Sequence, residues 1–264
     1  MRIAVDMGIP RRALLAALMA ASSVPAVSAQ APAVYRASPD TLHYTSDNAY
    51  LLYFVRGADT LGQPMATTTH ESRLVSSAKN GLSVWVRLIG TGEYPFDFAE
   101  TYLVSATGRL LAVGGQPLSE MPSARVDLLP RLPTPAQALT SGSTWTDTVS
   151  IQHQEPYGPI RYAVQRSYKV LRIVDSLGSQ IAFIVGTGQM QLRQGGWQDE
   201  ASRQVWWQEV TGPVADTVAF DISRGRVVSS YAHMDLIGAG GAGPIGTGDT
   251  LPSGLRSSVR LTPR

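Results

Sequence analysis

The chain has 264 residues, 44% of them hydrophobic and 16% charged, with 22 basic against 20 acidic side chains and no cysteine. Without cysteine there are no disulfides, thiolate metal sites, thiol nucleophiles or lipid-modified cysteine. Residues 1–29 hold three arginines and one aspartate, so residues 30–264 carry 19 charges of each sign. They lack the long-range field that draws proteins to nucleic acid or anionic membranes, and nucleic-acid binding is disfavoured.

Residues 1–29 read as a cleavable export signal. Arg2, Arg11 and Arg12 supply positive charge, Ala13 to Ala21 is an apolar helix-favouring run, and Val27-Ser28-Ala29 places the cut before Gln30. The apolar run is about half of the roughly 20 residues that span a bilayer, so no transmembrane anchor is expected after cleavage. Arg11-Arg12-Ala13-Leu14-Leu15 loosely resembles a twin-arginine signal, but Pro10 stands where Ser or Thr is usual; both export routes stay open. Arginine outnumbers lysine twenty to two, which fits a bacterium with GC-rich DNA. The expected address is the periplasm or the medium.

Residues 30–39 read as an irregular, mobile leader. From Asp40 onward, runs rich in Val, Ile, Leu, Thr, Tyr and Trp alternate with turn signals, and no segment shows sustained helical periodicity. Turns are predicted at Asn80-Gly81, Thr107-Gly108, Gly178, Gly195-Gly196 and Gly225. Val84, Val86 and Leu88 share one strand face. From Ile160 a single face carries Tyr162, Val164, Arg166, Tyr168, Val170, Arg172 and Val174, long enough to require a bend or bulge. Val218, Phe220 and Ile222 form another face, and Val227 to Ile237 should pair beside it.

Residues 116–143 carry five prolines and no alternation, and read as a crossover between an N-terminal meander (40–115) and a C-terminal one (144–264). Leu128, Leu129, Leu132 and Leu139 within it need cover. Gly238 to Gly248 contains Pro244 and is followed by Asp249-Thr250-Leu251-Pro252 rather than by a helix, so a mobile surface loop is expected there instead of a phosphate loop. Leu255 to Leu261 makes a last strand. The expectation is all-β: a single domain of antiparallel meanders forming a curved sheet or half-barrel.

No catalytic or metal-binding motif stands out, and no cofactor is implied. His43, His70, His153 and His233 fall in different strands. His233 and Asp235 would share a face, an arrangement more common in a hydrogen-bonded surface pair than in a zinc site. There is no Gly-x-Ser-x-Gly and no Ser-x-x-Lys. In Gly92 to Tyr102, the residues Tyr94, Phe96, Phe98 and Tyr102 share a face and read as core packing; Asp97 and Glu100 point opposite ways, against a glycosidase pair. Trp206 and Trp207 must face opposite sides of one strand.

Leu129-Pro130-Arg131-Leu132-Pro133, Gly142 to Thr148, the strand Tyr162 to Val174, Phe220-Asp221, Gly225 to Val228 and Met234-Asp235-Leu236 together resemble a group of exported bacterial β-proteins. These are similar to the periplasmic lipoprotein carriers, whose curved antiparallel sheet wraps an apolar concavity. The resemblance covers residues 125–238 and includes no catalytic residue. It implies a hydrophobic ligand such as lipid; the helix that closes the carriers' concavity has no counterpart in this sequence. The expected lining is Val84, Val86, Leu88, Tyr162, Val164, Tyr168, Val170 and Trp206. Two other functions stay open: a structural module that holds an envelope protein partner, and a hydrolase of envelope polysaccharide.

Overall fold

Alternation of apolar and polar side chains with a period of two gives most of this chain one face to bury and one to leave wet, which dictates an antiparallel sheet. The computed structural model describes residues 31–264 apart from 92–94, 118–128, 177, 200, 202 and 247–248. The export signal read over residues 1–29, and Glu93, Tyr94 and Leu128, lie outside the described residues. The first meander consists of β1 (Leu42–Arg56), β2 (Asp59–Ala78), β3 (Gly81–Thr91), β4 (Phe96–Val104), β5 (Leu110–Val113) and β6 (Gln116–Pro117). The second consists of β7 (Thr144–Glu155), β8 (Gly158–Ser176), β9 (Ser179–Asp199), β10 (Gln204–Asp221), β11 (Arg226–Ala242) and β12 (Thr250–Pro263).

Both meanders belong to one sheet, in the order β6-β5-β4-β3-β2-β1-β12-β11-β10-β9-β8-β7. They join at its centre, where β1 pairs antiparallel with β12, Tyr44 opposite Pro263 and Phe54 opposite Ser253. The sheet is open, with β6 at one edge and β7 at the other. No described residue is helical. The all-β expectation of antiparallel meanders in one open, curved sheet holds; β6 lies within the segment 116–143 expected to hold no strand.

The sheet is strongly curled. The side chain of Gln194 on β9 comes close enough to the Tyr50 phenol on β1 to act on its titration. Four strand spacings separate those strands, about 19 Å if flat, so the inner faces must bend toward each other. Glycines on that face permit the bend. A Cβ on Gly188 would collide with the Gln165 carbonyl, and one on Gly212 with the Asp235 carbonyl, so neighbouring backbones approach there as only glycine allows.

Two glycine runs expected outside strands lie inside them. Gly195-Gly196 is in β9, and Gly238 to Ala242 continues β11. The physical reason is aromatic cover: the Trp206 ring lies against Gly196, and the Phe54 ring occupies the space a side chain on Gly240 would need. Beyond β11 the described part of the glycine-rich segment folds back, and the Ile245 amide donates to the Tyr157 carbonyl at 2.8 Å. The bulge expected in the long strand falls in β8 at Leu171, between Val170 and Arg172; it turns Leu171 outward and lets Ile173 pack inward.

One end of the curl is sealed. Val84, Val86, Tyr102, Val104 and Val113 of the first meander meet Tyr168, Val170, Ile184, Val218 and Phe220 of the second. Between them lie Leu129, Leu132 and Leu139 of the crossover and Ala33 and Tyr35 of the leader. The leader is irregular as expected, but not loose. The amides of Ala33, Tyr35, Arg36 and Ser38 donate to the carbonyls of Gln137, Ala106, Gly225 and Val75. Toward the other end, Val164, Met190, Val210, Val214, Leu236 and Leu255 form a second cluster.

Candidate ligand-binding face

Along the inner face of β2 the side chains run Leu61, Met65, Thr67, Thr69, Glu71, Arg73, Val75, from apolar and exposed, through hydroxyls, to a buried ion pair and then core. β3 reaches only as far as the Thr68–Thr91 pair, so Asp59–Thr67 of β2 has no strand beside it on that side among the described residues. β5 likewise pairs with β4 only at Tyr102–Val104. Where the wall stops, its apolar inner face is uncovered: Leu61 is 54% exposed, Met65 51%, Phe96 and Phe98 43% each. Tyr50 and Phe54 of β1 stand opposite Met65 and Leu61 on the same face. Five of the large exposed hydrophobic residues thus share one concave wall, an arrangement that marks binding surfaces more often than chance scatter does.

Behind this wall lies a cavity of about 360 Å³ between β2 and strands β8 and β10–β12. Glu71, Arg73, Tyr162, Arg166, Tyr168 and Asp216 supply its polar lining; Val214, Val218, Met234 and Leu261 supply apolar surface. Glu71 and Arg73 form a salt bridge with both side chains buried, and the Arg73 guanidinium lies over the Tyr44 ring, 5.6 Å from its centroid. The Tyr44 hydroxyl donates to the Val227 carbonyl at 2.8 Å, and burial pushes its pKa up. Two glycines of β9 make room for the other charges. Gly186 stands opposite Asp216 and Gly188 opposite Arg166, and the Asp216 carboxylate occupies the place of a Gly186 side chain. On its far side Arg166 faces Asp147 of β7, whose carboxylate also meets Arg109 at 3.3 Å and Arg131 at 3.6 Å.

A polar network occupies the other half of the interior. Fully buried Gln208 donates to the Ser253 hydroxyl at 3.3 Å and the Gly254 carbonyl at 3.2 Å, and accepts from Gln194 at 3.0 Å. Gln194 lies close to the Tyr50 phenol across the curl. A buried amide with both ends engaged fixes the spacing of the strands it joins.

The lining expected from sequence divides between these regions. Val84, Val86 and Val170 are inside the sealed cluster, and Leu88 packs on its margin. Tyr168 belongs to that cluster and also borders the cavity; Tyr162 borders the cavity and packs against the second cluster. Val164 is in the second cluster. Trp206 is half-buried on the inner face against Gly196, while Trp207 faces the other way and is buried beside Gly241. The residues sequence reading missed are Leu61, Met65, Phe96, Phe98 and the charged set. Phe96 and Phe98 share a face with Tyr102 as expected, but only Tyr102 is core. The β2 segment gave no alternation signal because glycine, proline and threonines interrupt it.

The other constellations are occupied otherwise. Asp97 is on the outer face in a bidentate pair with Arg87, at 2.9 and 2.5 Å, which holds its carboxyl below the usual range. Glu100 is on the inner face, 3.4 Å from the Tyr102 hydroxyl. His233 and Asp235 share the outer face, where Asp235 accepts from Arg256 at 3.1 Å. Among the described residues no three His, Asp or Glu side chains gather at metal-binding distances. A wider groove of about 860 Å³ among hairpin tips, bordered by Tyr157, Trp197, Arg203 and Pro244, is larger than the inner cavity. The inner site is favoured because it combines an uncovered apolar wall with buried charge, and so offers both the burial and the orientation a ligand needs.

The class this architecture defines is an all-β protein with one open, curled antiparallel sheet and a partly uncovered concave face. No protein-family model matches the chain, and no curated protein matches it.

Proposed function

We propose that this is an exported, non-enzymatic protein of a bacterial envelope that binds an apolar ligand such as lipid on the concave face of its sheet. The observation that carries the reading is the uncovered inner wall of Leu61, Met65, Phe96 and Phe98, with the cavity behind it. Burying these side chains under an acyl chain removes apolar surface from water at roughly 25 cal/mol per Å². The resemblance to the curved-sheet carriers supports the same reading, and the export signal read over residues 1–29 supports the address.

The test is native against denaturing mass spectrometry of the protein purified from a bacterial periplasm. An added mass that is lost on denaturation and extracts as lipid is the expected result. The double substitution Met65→Glu and Phe98→Asp should remove that mass, yet move stability by no more than about 0.5 kcal/mol, because both side chains are exposed. A bare mass for the native protein would sink the reading.

A second reading is an interaction module. The Asp59–Thr67 edge of β2 and the outer edge of β7 present ladder groups with no neighbouring strand among the described residues, and a partner's strand could pair there. Concentration-dependent association in sedimentation, with no bound lipid, would favour it.

A further inference from the structure

We infer that the ligand is an amphiphile whose head is net neutral and carries both an anionic and a cationic group, seated in the cavity with its chain along the wall of β2–β4. This rests on the apolar-ligand reading and narrows it.

The inference starts from where the charges are. Glu71 on β2 stands opposite Leu88 on β3, and Leu88 opposite Phe98 on β4, so one cross-strand row joins the ion pair to the exposed wall. The next row toward the open end is Thr69, Gly90 and Phe96, and the Phe96 ring covers Gly90. From Glu71 to Leu61 is ten residues of β2, about 33 Å of strand, enough for an extended acyl chain. A ligand lying along this wall has its polar end at Glu71 and Arg73 and its tail over Met65 and Leu61.

The head chemistry follows from the charge count in the cavity. The charged side chains of its lining are two arginines, Arg73 and Arg166, and two carboxylates, Glu71 and Asp216; His233 borders it as well. Arg73, Arg166 and Glu71 are buried. A bare anion entering there gains from the arginines but meets both carboxylates in the same low-dielectric space, and its lost hydration is not repaid. A bare cation meets the reverse. A head that carries both signs can present its anion to a guanidinium and its ammonium donors to a carboxylate, with no net charge left over. The hydroxyls of Tyr162 and Tyr168 border the same space.

The experiment uses delipidated mature protein and two probes with the same single acyl chain, lysophosphatidylethanolamine and lysophosphatidylglycerol, kept below micelle formation and followed by calorimetry. The zwitterionic probe should bind about tenfold tighter, a factor worth one step of the affinity scale. Glu71→Gln, which leaves one positive charge in excess, should erase or invert that preference. If Glu71→Gln does not fold, Asp216→Asn removes a carboxylate from the same cavity and carries the same expectation. Equal binding of both probes, or tighter binding of the anionic one by the native protein, would overturn this inference while leaving the apolar-ligand reading intact. No binding of either probe by folded protein would overturn both.

Discussion

At the scale of single residues, buried polar groups set the sharpest expectations. Gln208 holds Ser253, Gly254 and Gln194 together inside the curl. Gln208→Leu removes the amide but leaves those partners buried, so it should destabilise by about 2 kcal/mol, read as a lower denaturation midpoint at unchanged slope. Tyr35 and Tyr44 give a pH dependence. Burial raises both phenol pKa values above the ordinary 10.0, so the folded state holds these protons more tightly than the unfolded chain does. Their contribution to stability is full below pH 10 and is lost as pH rises beyond it. Thermal unfolding should therefore fall away on the alkaline side of that value. Tyr44→Phe should make that decline shallower, while lowering stability at neutral pH by about 1 kcal/mol through the lost bond to Val227.

At the scale of elements, the crossover and the leader fill one end of the curl. Leu139 is completely buried between the two meanders, and Leu139→Ala should cost about 3 kcal/mol. Leu171, turned outward by the β8 bulge and 55% exposed, should tolerate Ala within about 0.5 kcal/mol; equal losses at both sites in chemical denaturation would contradict the sealed end. Much of this level was legible in the sequence. Two-residue alternation marked β3, β8 and β10, Asn80-Gly81 and Gly225 marked turns, and the crossover leucines announced burial. The site was less legible. Val84 and Tyr168 lie on the inner face, yet whether an inner side chain meets core or open space depends on where neighbouring strands end, and no local pattern records that. Phe96 and Tyr102 share one face of β4 and differ only in whether β5 reaches them. Glycines misled for a related reason, because Gly196 and Gly240 are completed by rings of residues far along the chain or on another strand.

At the scale of the whole molecule, the curl comes from close backbone approach at glycine, and that can be tested directly. Gly212→Ala would press a methyl group into the Asp235 carbonyl on the next strand, and should destabilise by about 3 kcal/mol while loosening the cavity. The central pairing has a different consequence, for the order of assembly. β1 is followed at once by β2, its neighbour on one side, but its other neighbour is β12, which follows every other strand in chain order. A chain made from its first residue onward can form the β1–β2 hairpin early, but it holds the other edge of β1 unsatisfied until synthesis of the domain is nearly done. The middle of the sheet is the last part to be completed. A chain cut before Thr250 should therefore behave not as a weaker version of the same protein but as a sticky one, its bare central edges recruiting one another. Light scattering of the truncated chain would show this as aggregation, and a dispersed, folded truncation would show that the two meanders stand on their own.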